Sequence, residues 1–195
     1  MIKYWSAVVC RVAPAAGLVA VVVGGAMCAV LLLGDGAPWT SALAQSALAG
    51  LTCAVLFTLA VTTADTVTAV RTAVRYGLLL EPAAARLPSL RQVTADTPGA
   101  TAFQLADSVL HAIKKAQAPM VSEVLELSHG RVSLMCTSPY GPEIHVSINI
   151  TVADGRALAA LTCRPVTSWK RLDGAASWTT AGILEPHVRA ALKDH

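Results

Sequence analysis

The stretch "IHVSINITVADGRALAALTC", from Ile144 to Cys163, decides the fold of the second half of the chain. Polar and apolar side chains alternate on both sides of the pair Asp154 and Gly155, and such an alternation predicts two β-strands. An Asp-Gly pair between two strands is typical of a two-residue turn, whose central residues need positive φ angles. In that register the apolar side chains of both strands share one face of a hairpin. We therefore expect this hairpin to bury one face and to leave the other exposed to water.

A second hairpin is predicted just before the first one. The runs "MVSEVLELS" and "RVSLMCTS" lie on either side of His129 and Gly130. If these two residues form the turn, the apolar side chains of the two runs meet on one face. These side chains are Leu125, Leu127, Val132 and Leu134.

Two amphipathic helices flank the four predicted strands. Thr101 and Gln104 have the spacing of a capping box, so the first helix begins at Thr101 and runs to Gln117. Its predicted apolar face consists of Phe103, Ala106, Leu110, Ile113 and Ala116. A last helix is expected from about Ser177, with an apolar face of Trp178, Ala181, Leu184, Val188 and Leu192. Residues 100–195 thus predict an α+β domain of two layers, in the order helix, four-stranded antiparallel meander, helix.

The first third of the chain is too apolar for a water-soluble domain. The whole sequence of 195 residues is 54% hydrophobic and only 14% charged, with a mean hydropathy of +0.57. The runs 12–33 and 41–63 contain no acidic or basic residue and are long enough to cross a bilayer core of about 30 Å. Residues 1–65 therefore predict a short tail followed by two transmembrane helices. A cleaved signal peptide is the alternative for the first run, but that run is longer than a signal core and a second apolar run follows it.

Basic residues indicate which side of the membrane each terminus occupies. The connection "GDGAPWT" between the two runs has no basic residue, whereas Lys3 and Arg11 lie at the start of the chain. Four arginines follow the second run: Arg71, Arg75, Arg86 and Arg91. Because Lys and Arg near membrane spans stay on the cytoplasmic side, both termini are expected in the cytoplasm. Abundant Ala, Val and Arg suggest a GC-rich bacterium. Together with the two predicted spans, this predicts a multi-pass protein of the cell inner membrane.

Residues 66–99 are interpreted as a juxtamembrane helix and a linker. The helix is expected to stop before Pro82, because proline cannot continue it. Its basic and apolar residues predict a contact with the membrane surface. The residues of this contact are Arg71, Arg75, Leu78, Leu79 and Leu80. The segment 82–100 has three prolines and no lasting periodicity, which is typical of a linker.

Small residues predict where the two membrane helices touch. Ala20, Gly24 and Cys28 are four residues apart, so they share one helix face and let another backbone approach closely. That neighbour is the second helix or a second copy of the chain, and Gln45 is a candidate for a hydrogen bond across the contact. The alternatives are that the small residues are only filler in an alanine-rich helix and that Gln45 only touches water.

The sequence favours no catalytic, metal or cofactor site. Asp107, Ser108 and His111 suggest a hydrolase triad, but neighbouring positions on one helix do not give the three groups their successive geometry. Ser168 and Lys170 could also be proposed as a pair, but no nucleophile elbow is present in the sequence. We therefore predict a protein that is not an enzyme, with a hydrolase as the minor alternative.

The cysteines and the charges exclude other classes of site. Cys136 and Cys163 fall on the second and fourth predicted strands, about 9.6 Å apart, which is beyond disulfide reach. No CxxC motif and no zinc-like spacing of His and Cys occurs, so no metal and no cofactor is predicted. From Gly99 to His195 there are nine Lys and Arg against eight Asp and Glu, which is no electrostatic footprint for nucleic acid.

The run "LTCRPVTSWKRLDGAASWTTAGILEPHV" resembles the end of a group of uncharacterised bacterial membrane-anchored α+β domains. The matching positions are Arg164 and Pro165 at the end of a last strand and the pair Asp173 and Gly174 before a closing helix. The resemblance implies the fold, with the closing helix returning over the sheet. It implies no reaction.

The expected function is a cytoplasmic interaction or accessory module held at the membrane. Its expected partners are membrane lipids and either another membrane protein or a second copy of the chain, because a small domain without convergent polar groups usually binds rather than reacts. The alternative is a membrane-anchored sensor or carrier of a small apolar or lipid ligand. Its pocket would lie between the sheet and the closing helix, lined by Met135, Trp169 and Trp178.

Overall fold

The computed structural model describes residues 2–34, 38–116, 118–137, 142–167 and 172–194. The chain divides into two compact units, Ile2–Thr66 and Val67–His195. The first unit contains the predicted membrane spans, and the second contains a sheet with two helices. We describe each unit by itself.

Two long apolar helices make up most of the first unit. Helix α1 covers Ile2–Leu33 and helix α2 covers Trp39–Arg75, so α2 continues into the second unit. Both are long and apolar enough to cross a membrane. At 1.5 Å per residue they measure about 48 Å and about 56 Å, well beyond a hydrocarbon core of about 30 Å. Each helix is therefore longer than the span predicted inside it.

Helix α2 ends at Arg75, several residues before the predicted stop at Pro82. Gly77 has a φ of 65°, and its N–H donates to Val74. The N–H of Leu78 donates to the carbonyl of Ala73 over 2.9 Å. This is a Schellman motif, which needs glycine at its left-handed position. The helix therefore stops before Pro82, as predicted, but glycine and not proline ends it.

The sheet of the second unit has five antiparallel strands, not the four predicted. They are β1 (Ser89–Asp96), β2 (Met120–Ser128), β3 (Arg131–Thr137), β4 (Ile144–Ala153) and β5 (Arg156–Pro165). Their order across the sheet is β1-β5-β4-β3-β2. Strands β2 to β5 form the predicted meander. Strand β1 joins it at the free edge of β5, so the segment assigned to a linker belongs to the domain, after a 3-10 helix at Pro82–Ala85.

Strand β1 was missed because its inward side chains do not form an apolar pattern. All eight of its residues pair with β5, from Ser89 opposite Cys163 to Asp96 opposite Arg156. Only Ser89 and Val93 are buried. A strand whose buried face includes serine and arginine positions lacks the alternation that marks a half-buried strand.

The opening hairpin has the predicted register. Asp154 and Gly155 have φ angles of 51° and 71°, as a two-residue turn of type I′ requires. Ile148 lies opposite Leu161 and is fully buried, whereas the neighbouring Asn149 is exposed. Three further pairs form as predicted: Val146 with Cys163, Ile150 with Ala159, and Ser147 with Thr162.

The hairpin of β2 and β3 confirms only part of its prediction. Leu127 lies opposite Val132, as expected. Val124, not Leu125, lies opposite Leu134, because the register shifts between Val124 and Glu126. Leu125 is 47% exposed, as expected of an extra residue at a β-bulge.

Two helices cover one face of the sheet and enclose the core with it. Helix α3 (Ala102–Lys115) begins at the predicted capping box, with Gln104 N donating to Thr101 Oγ1 over 3.3 Å. Phe103 was predicted on the apolar face, but it is 45% exposed and does not belong to the buried face of the helix. Helix α4 (Ala176–Lys193) buries all five predicted side chains: Trp178, Ala181, Leu184, Val188 and Leu192.

The other side of the sheet carries the alternate side chains of β1, β3, β4 and β5, and we call it the open face. Most of these side chains are exposed or half-buried, because α3 and α4 pack on the opposite side. The open face consists of Leu90, Gln92, Thr94, Arg131, Ser133, Met135, His145, Ser147, Asn149, Thr151, Leu158, Ala160, Thr162 and Arg164.

Candidate functional site

The predicted small-residue contact joins α1 to α2 within the first unit. A side chain added at Gly24 would meet the carbonyl oxygen of Ser46 at 3.1 Å, and one added at Gly50 would meet the carbonyl oxygen of Ala20. Ala20 and Gly24 are thus at the contact, and Cys28 is half-buried. Gln45 is exposed. The neighbouring Ser46 is buried instead, and its hydroxyl donates to the carbonyl oxygen of Ala42 in the same helix over 2.6 Å.

A polar contact closes the other end of this helical hairpin. The hydroxyl of Tyr4 donates to Asp65 Oδ2 over 2.7 Å, and the Tyr4 side chain is buried. Val8 and Val12 continue the buried face of α1 at four-residue spacing. Tyr4 and Asp65 lie outside the two apolar runs 12–33 and 41–63, so this contact joins the helices beyond those runs.

The residues predicted to touch the membrane surface are only partly free to do so. Arg71 and Arg75 are exposed, and Leu79 is 87% exposed. Leu78 is half-buried and lies so close to Gly182 of α4 that a side chain there would meet it at 3.2 Å. Leu80 is half-buried as well. The predicted leucine cluster is therefore reduced to one fully exposed side chain.

The predicted ligand pocket between the sheet and the closing helix is not formed by its predicted residues. Met135 lies on the open face, whereas Trp178 belongs to α4, which packs on the other side of the sheet. Trp169 lies outside the described residues. The prediction went wrong at Met135 because its neighbours Leu134 and Cys136 take the inward positions of β3.

Trp178 is occupied by contacts inside the domain. The guanidinium of Arg91 lies 5.7 Å from the centre of its ring, within the range of a cation–π interaction. The same guanidinium lies 3.9 Å from a carboxylate oxygen of Glu185. Arg91 thus connects β1 to α4.

The predicted hydrolase cluster does not converge. Ser108 and His111 line a groove of about 490 Å³ between α3 and α4, together with His187 and Asp194. Asp107 is exposed and is not part of that groove. The pair Ser168 and Lys170 lies outside the described residues. In the part of the chain that the structure describes, no group of three His, Cys, Asp or Glu side chains has a metal-binding arrangement.

Two cysteines lie in the core of the domain as free thiols. Cys136 and Cys163 are both fully buried. Burial raises the pKa of Cys136 to about 11. Burial also raises the pKa of Cys163, with Cys136 and Asp173 acting in the same direction. Because the thiolate is the reactive form, both side chains are inert core residues.

The open face holds a polar cluster that the sequence did not reveal. Ser133 Oγ lies 2.9 Å from His145 Nε2, and Arg164 Nε donates to His145 Nδ1 over 3.4 Å. Ser133 is 5% exposed, although it lies on the open face. Strands β3, β4 and β5 each supply one member of this cluster, so strand pairing brings together residues far apart in the chain.

The contact with Arg164 indicates which nitrogen of His145 carries the imidazole proton. An arginine N–H can only donate, so His145 Nδ1 must accept and the imidazole proton lies at Nε2. That nitrogen then donates to Ser133, and it has no lone pair with which to take the serine proton. Burial, followed by Arg164 and Arg131, lowers the pKa of His145 from its ordinary value of 6.5. The imidazole is therefore neutral near pH 7 and serves as a fixed hydrogen-bond donor.

Next to this cluster, the open face forms a cleft of about 500 Å³. His145 and Arg164 provide its polar side. Its apolar side is formed by Leu87, Pro88, Met135, Pro165 and Val166. The lining thus combines one charged group and one imidazole with apolar side chains, as in small-molecule sites with a few orienting polar groups.

The only sequence signal for this site was the alternation of the strands. His145 and Arg164 lie opposite each other in the register predicted from the Asp-Gly turn. The Asp-Gly turn predicts that register, but the sequence does not mark His145 and Arg164 as parts of one site. Leu87 and Pro88 were assigned to the linker, so the apolar wall was not foreseen.

Comparisons of the chain with protein-family models, with curated proteins and with solved structures find no match. The resemblance of the run around Arg164, Pro165, Asp173 and Gly174 to bacterial membrane-anchored domains stays a prediction.

Proposed function

We propose that this chain is a bacterial inner-membrane protein whose α+β domain is a non-catalytic binding module on the cytoplasmic side. The observation that carries the proposal is the open face. Helices cover one side of the sheet only, and the other side holds a prearranged cluster of Ser133, His145 and Arg164. Its protonation suits the recognition of a partner and not the activation of a nucleophile.

The membrane anchor is supported by the two long apolar helices and by the distribution of charge. Helices α1 and α2 are long and apolar enough to span a bilayer. Basic residues lie near the N-terminus and after the second helix, whereas the sequence between the helices has none. The rule that such residues stay on the inner side supports two cytoplasmic termini.

The open face supports an interaction with another membrane protein or with a second copy of the chain. It combines small polar side chains with exposed apolar ones, such as Leu90 at 59% and Leu158 at 37% exposure. This mixture is typical of transient interfaces, which are about as apolar as ordinary surface. The anchor keeps the domain near partners in the same membrane and so raises their effective concentration.

A sensor or carrier of a small apolar or lipid ligand is the second candidate. It is supported by the cleft, where Met135, Leu87 and Val166 offer an apolar wall beside two polar groups. Of the three pocket residues predicted from the sequence, only Met135 belongs to this cleft. The binding role is common to both candidates, and they differ in what is bound.

The test is native mass spectrometry of the full chain, purified in a mild detergent. We expect a bound species above the mass of the chain, and we expect Asn149→Arg to remove it, because the new side chain lies in the middle of the open face. The matched control is Ala190→Arg, since Ala190 is also exposed but lies on α4. The mass of the bound species separates a protein partner, a second copy and a small ligand.

Two results would contradict the proposal. One is a chain that carries nothing when it is purified directly from its native membrane. The other is equal loss of the bound species in both variants, which would place the binding surface away from the open face.

A further inference from the structure

The cleft on the open face has a free cation at one side. Arg164 is exposed, and its Nε–H is used by His145, so its two terminal amino groups remain available. No carboxylate of the described residues lies within ion-pair distance of Arg164, whereas Arg131 on the same face is 3.5 Å from Glu126. Glu143 lies two residues before His145 on the same side of the sheet, but it is not part of the cleft.

Apart from His145, the other residues that line the cleft are apolar. Leu87 and Pro88 approach from the segment before β1, and Met135 approaches from β3. Pro165 and Val166 complete the wall at the end of β5. A purely inorganic anion would leave this surface in contact with water, so the cleft favours a ligand that has both an anionic group and an apolar chain.

The available donors indicate which anion fits. The terminal amino groups of an arginine match the two oxygens of a carboxylate in a fork-like pair. The volume of about 500 Å³ falls within the range of roughly 300–1,000 Å³ that is typical of small-molecule sites. A single arginine balances one negative charge, which suits a monocarboxylate better than a doubly charged phosphate.

We propose that this cleft binds an apolar monocarboxylate of the fatty-acid type. Its carboxylate pairs with Arg164, and its chain lies against Met135 and the Leu87–Pro88 segment. The inference rests on the binding role proposed for the open face, and it names the class of ligand. Such a molecule partitions into lipid, so a domain anchored at the membrane meets it at high local concentration.

Methionine methyl groups provide a local readout for this site. The chain has four methionines: Met1, Met27, Met120 and Met135. The full chain, labelled with ¹³C at the methionine methyl groups, is placed in nanodiscs of zwitterionic lipid and titrated with decanoate. Met135→Leu identifies the Met135 signal. We expect that signal to move to saturation, while Met27 in α1 and Met120 at the edge of the sheet stay in place.

Three probes and two variants separate the contributions to binding. Decanol has a similar chain without the charge, and it should bind at least about tenfold more weakly, because it lacks the charge-assisted pair. Acetate has the carboxylate without the chain and should not move the Met135 signal at equal concentration. Arg164→Gln should weaken decanoate binding about tenfold or more, whereas Arg189→Gln on the exposed side of α4 should leave it unchanged.

Equal binding of decanoate and decanol would overturn the carboxylate pairing. Equal shifts at all methionines would show that decanoate only partitions into the nanodisc, and this would overturn the site. If decanoate does not move the Met135 signal, but native mass spectrometry still finds a bound species that Asn149→Arg removes, then the ligand class is wrong and the binding role stands. If the bound species is absent as well, both proposals fall.

Discussion

At the scale of single residues, His145 shows how the fold sets the chemistry of a side chain. On an isolated strand it would be an ordinary imidazole. In the sheet, Arg164 Nε donates to one ring nitrogen and Ser133 Oγ lies at the other. The donor on one side favours the tautomer that carries the imidazole proton at Nε2, next to the serine. A pair of Ser and His at 2.9 Å is thus not by itself evidence of a hydrolase.

The first prediction concerns the pKa of His145. Burial lowers it first, and Arg164 and Arg131 lower it further. Replacing Arg164 by Gln removes one of these positive charges, so we expect the pKa to rise toward 6.5, as measured by NMR titration of the imidazole. Arg189→Gln, on α4, is the control and should leave it unchanged. A His145 pKa above 6.5 in the unmodified chain would contradict the assigned geometry.

The second prediction concerns stability at mildly acidic pH. The unfolded chain takes up a proton on His145 near pH 6.5, while the folded chain resists until a lower pH because its pKa is depressed. Protons therefore favour the unfolded state, and stability is lost as pH falls below about 6.5. Thermal melts between pH 7.5 and pH 5 should show this loss, and His145→Gln should reduce it. An equal pH dependence in the two chains would assign the effect to other groups.

At the scale of helices and strands, small side chains control the contact of α1 with α2. Neighbouring helices in lipid gain little from the hydrophobic effect, so close packing of backbones must hold them together. Gly50 is the tightest point, since a side chain there would meet the carbonyl oxygen of Ala20. Gly25 is its natural control, because nothing lies within 4 Å of a side chain added there.

The third prediction compares leucine at these two glycines. Gly50→Leu should force the helices apart and destabilise the hairpin by about 1–3 kcal/mol, the usual cost of overpacking. Gly25→Leu should be neutral or slightly stabilising, because leucine is a better helix former than glycine. Thermal stability of the full chain in detergent measures both. Similar losses in the two variants would place the contact on another helix face.

The fourth prediction tests β1 as part of the domain. Val93 is 1% exposed and belongs to the core, whereas the adjacent Gln92 points to the open face. Val93→Asp buries an unpaired charge and should cost several kcal/mol, while Gln92→Asp should change stability by less than about 1 kcal/mol. Urea unfolding of the segment Val67–His195 compares them. Equal losses of stability in the two variants would indicate that residues 89–96 are a linker, as the sequence suggested, and not a strand of the domain.

The elements that the sequence revealed are those with an unambiguous period. The β4 and β5 hairpin was predictable because both strands alternate strictly around Asp154 and Gly155. Helix α4 was predictable because five apolar residues repeat at helical spacing. Strand β1 was not predictable, since its inward side includes Ser89 and Arg91. Arg91 is accommodated there because it contacts Glu185 and Trp178 of α4. These two contacting residues lie 87 or more positions after Arg91 in the chain, so the sequence around Arg91 gives no sign of them.

The candidate site was less predictable than the fold, for the same reason. Ser133, His145 and Arg164 are separated by 12 and 19 positions and meet only through the pairing of three strands. The bulge near Leu125 and the early helix end at Gly77 also depend on backbone geometry. Local patterns identify which face of an element is buried, but the contents of a site depend on how the elements are ordered.

At the scale of the whole molecule, the chain combines two long apolar helices with a small α+β unit. The two parts contain different kinds of surface. Ile2–Thr66 exposes large apolar side chains such as Leu18, Val21 and Leu48, which suits contact with lipid. Val67–His195 buries its apolar side chains between one layer of strands and one layer of helices. We propose that the apolar helices set where the domain acts and that the open face sets what it binds.

The most direct test of this account is the sidedness of the chain. A reporter that is active only outside the cytoplasm is fused after His195 in one version and inserted at Gly36 in another. The fifth prediction is that the fusion after His195 stays silent and the insertion at Gly36 is active, because the basic residues near both ends of the hairpin hold them inside. A silent reporter at Gly36 and an active one after His195 would place the domain outside the cytoplasm and contradict the account.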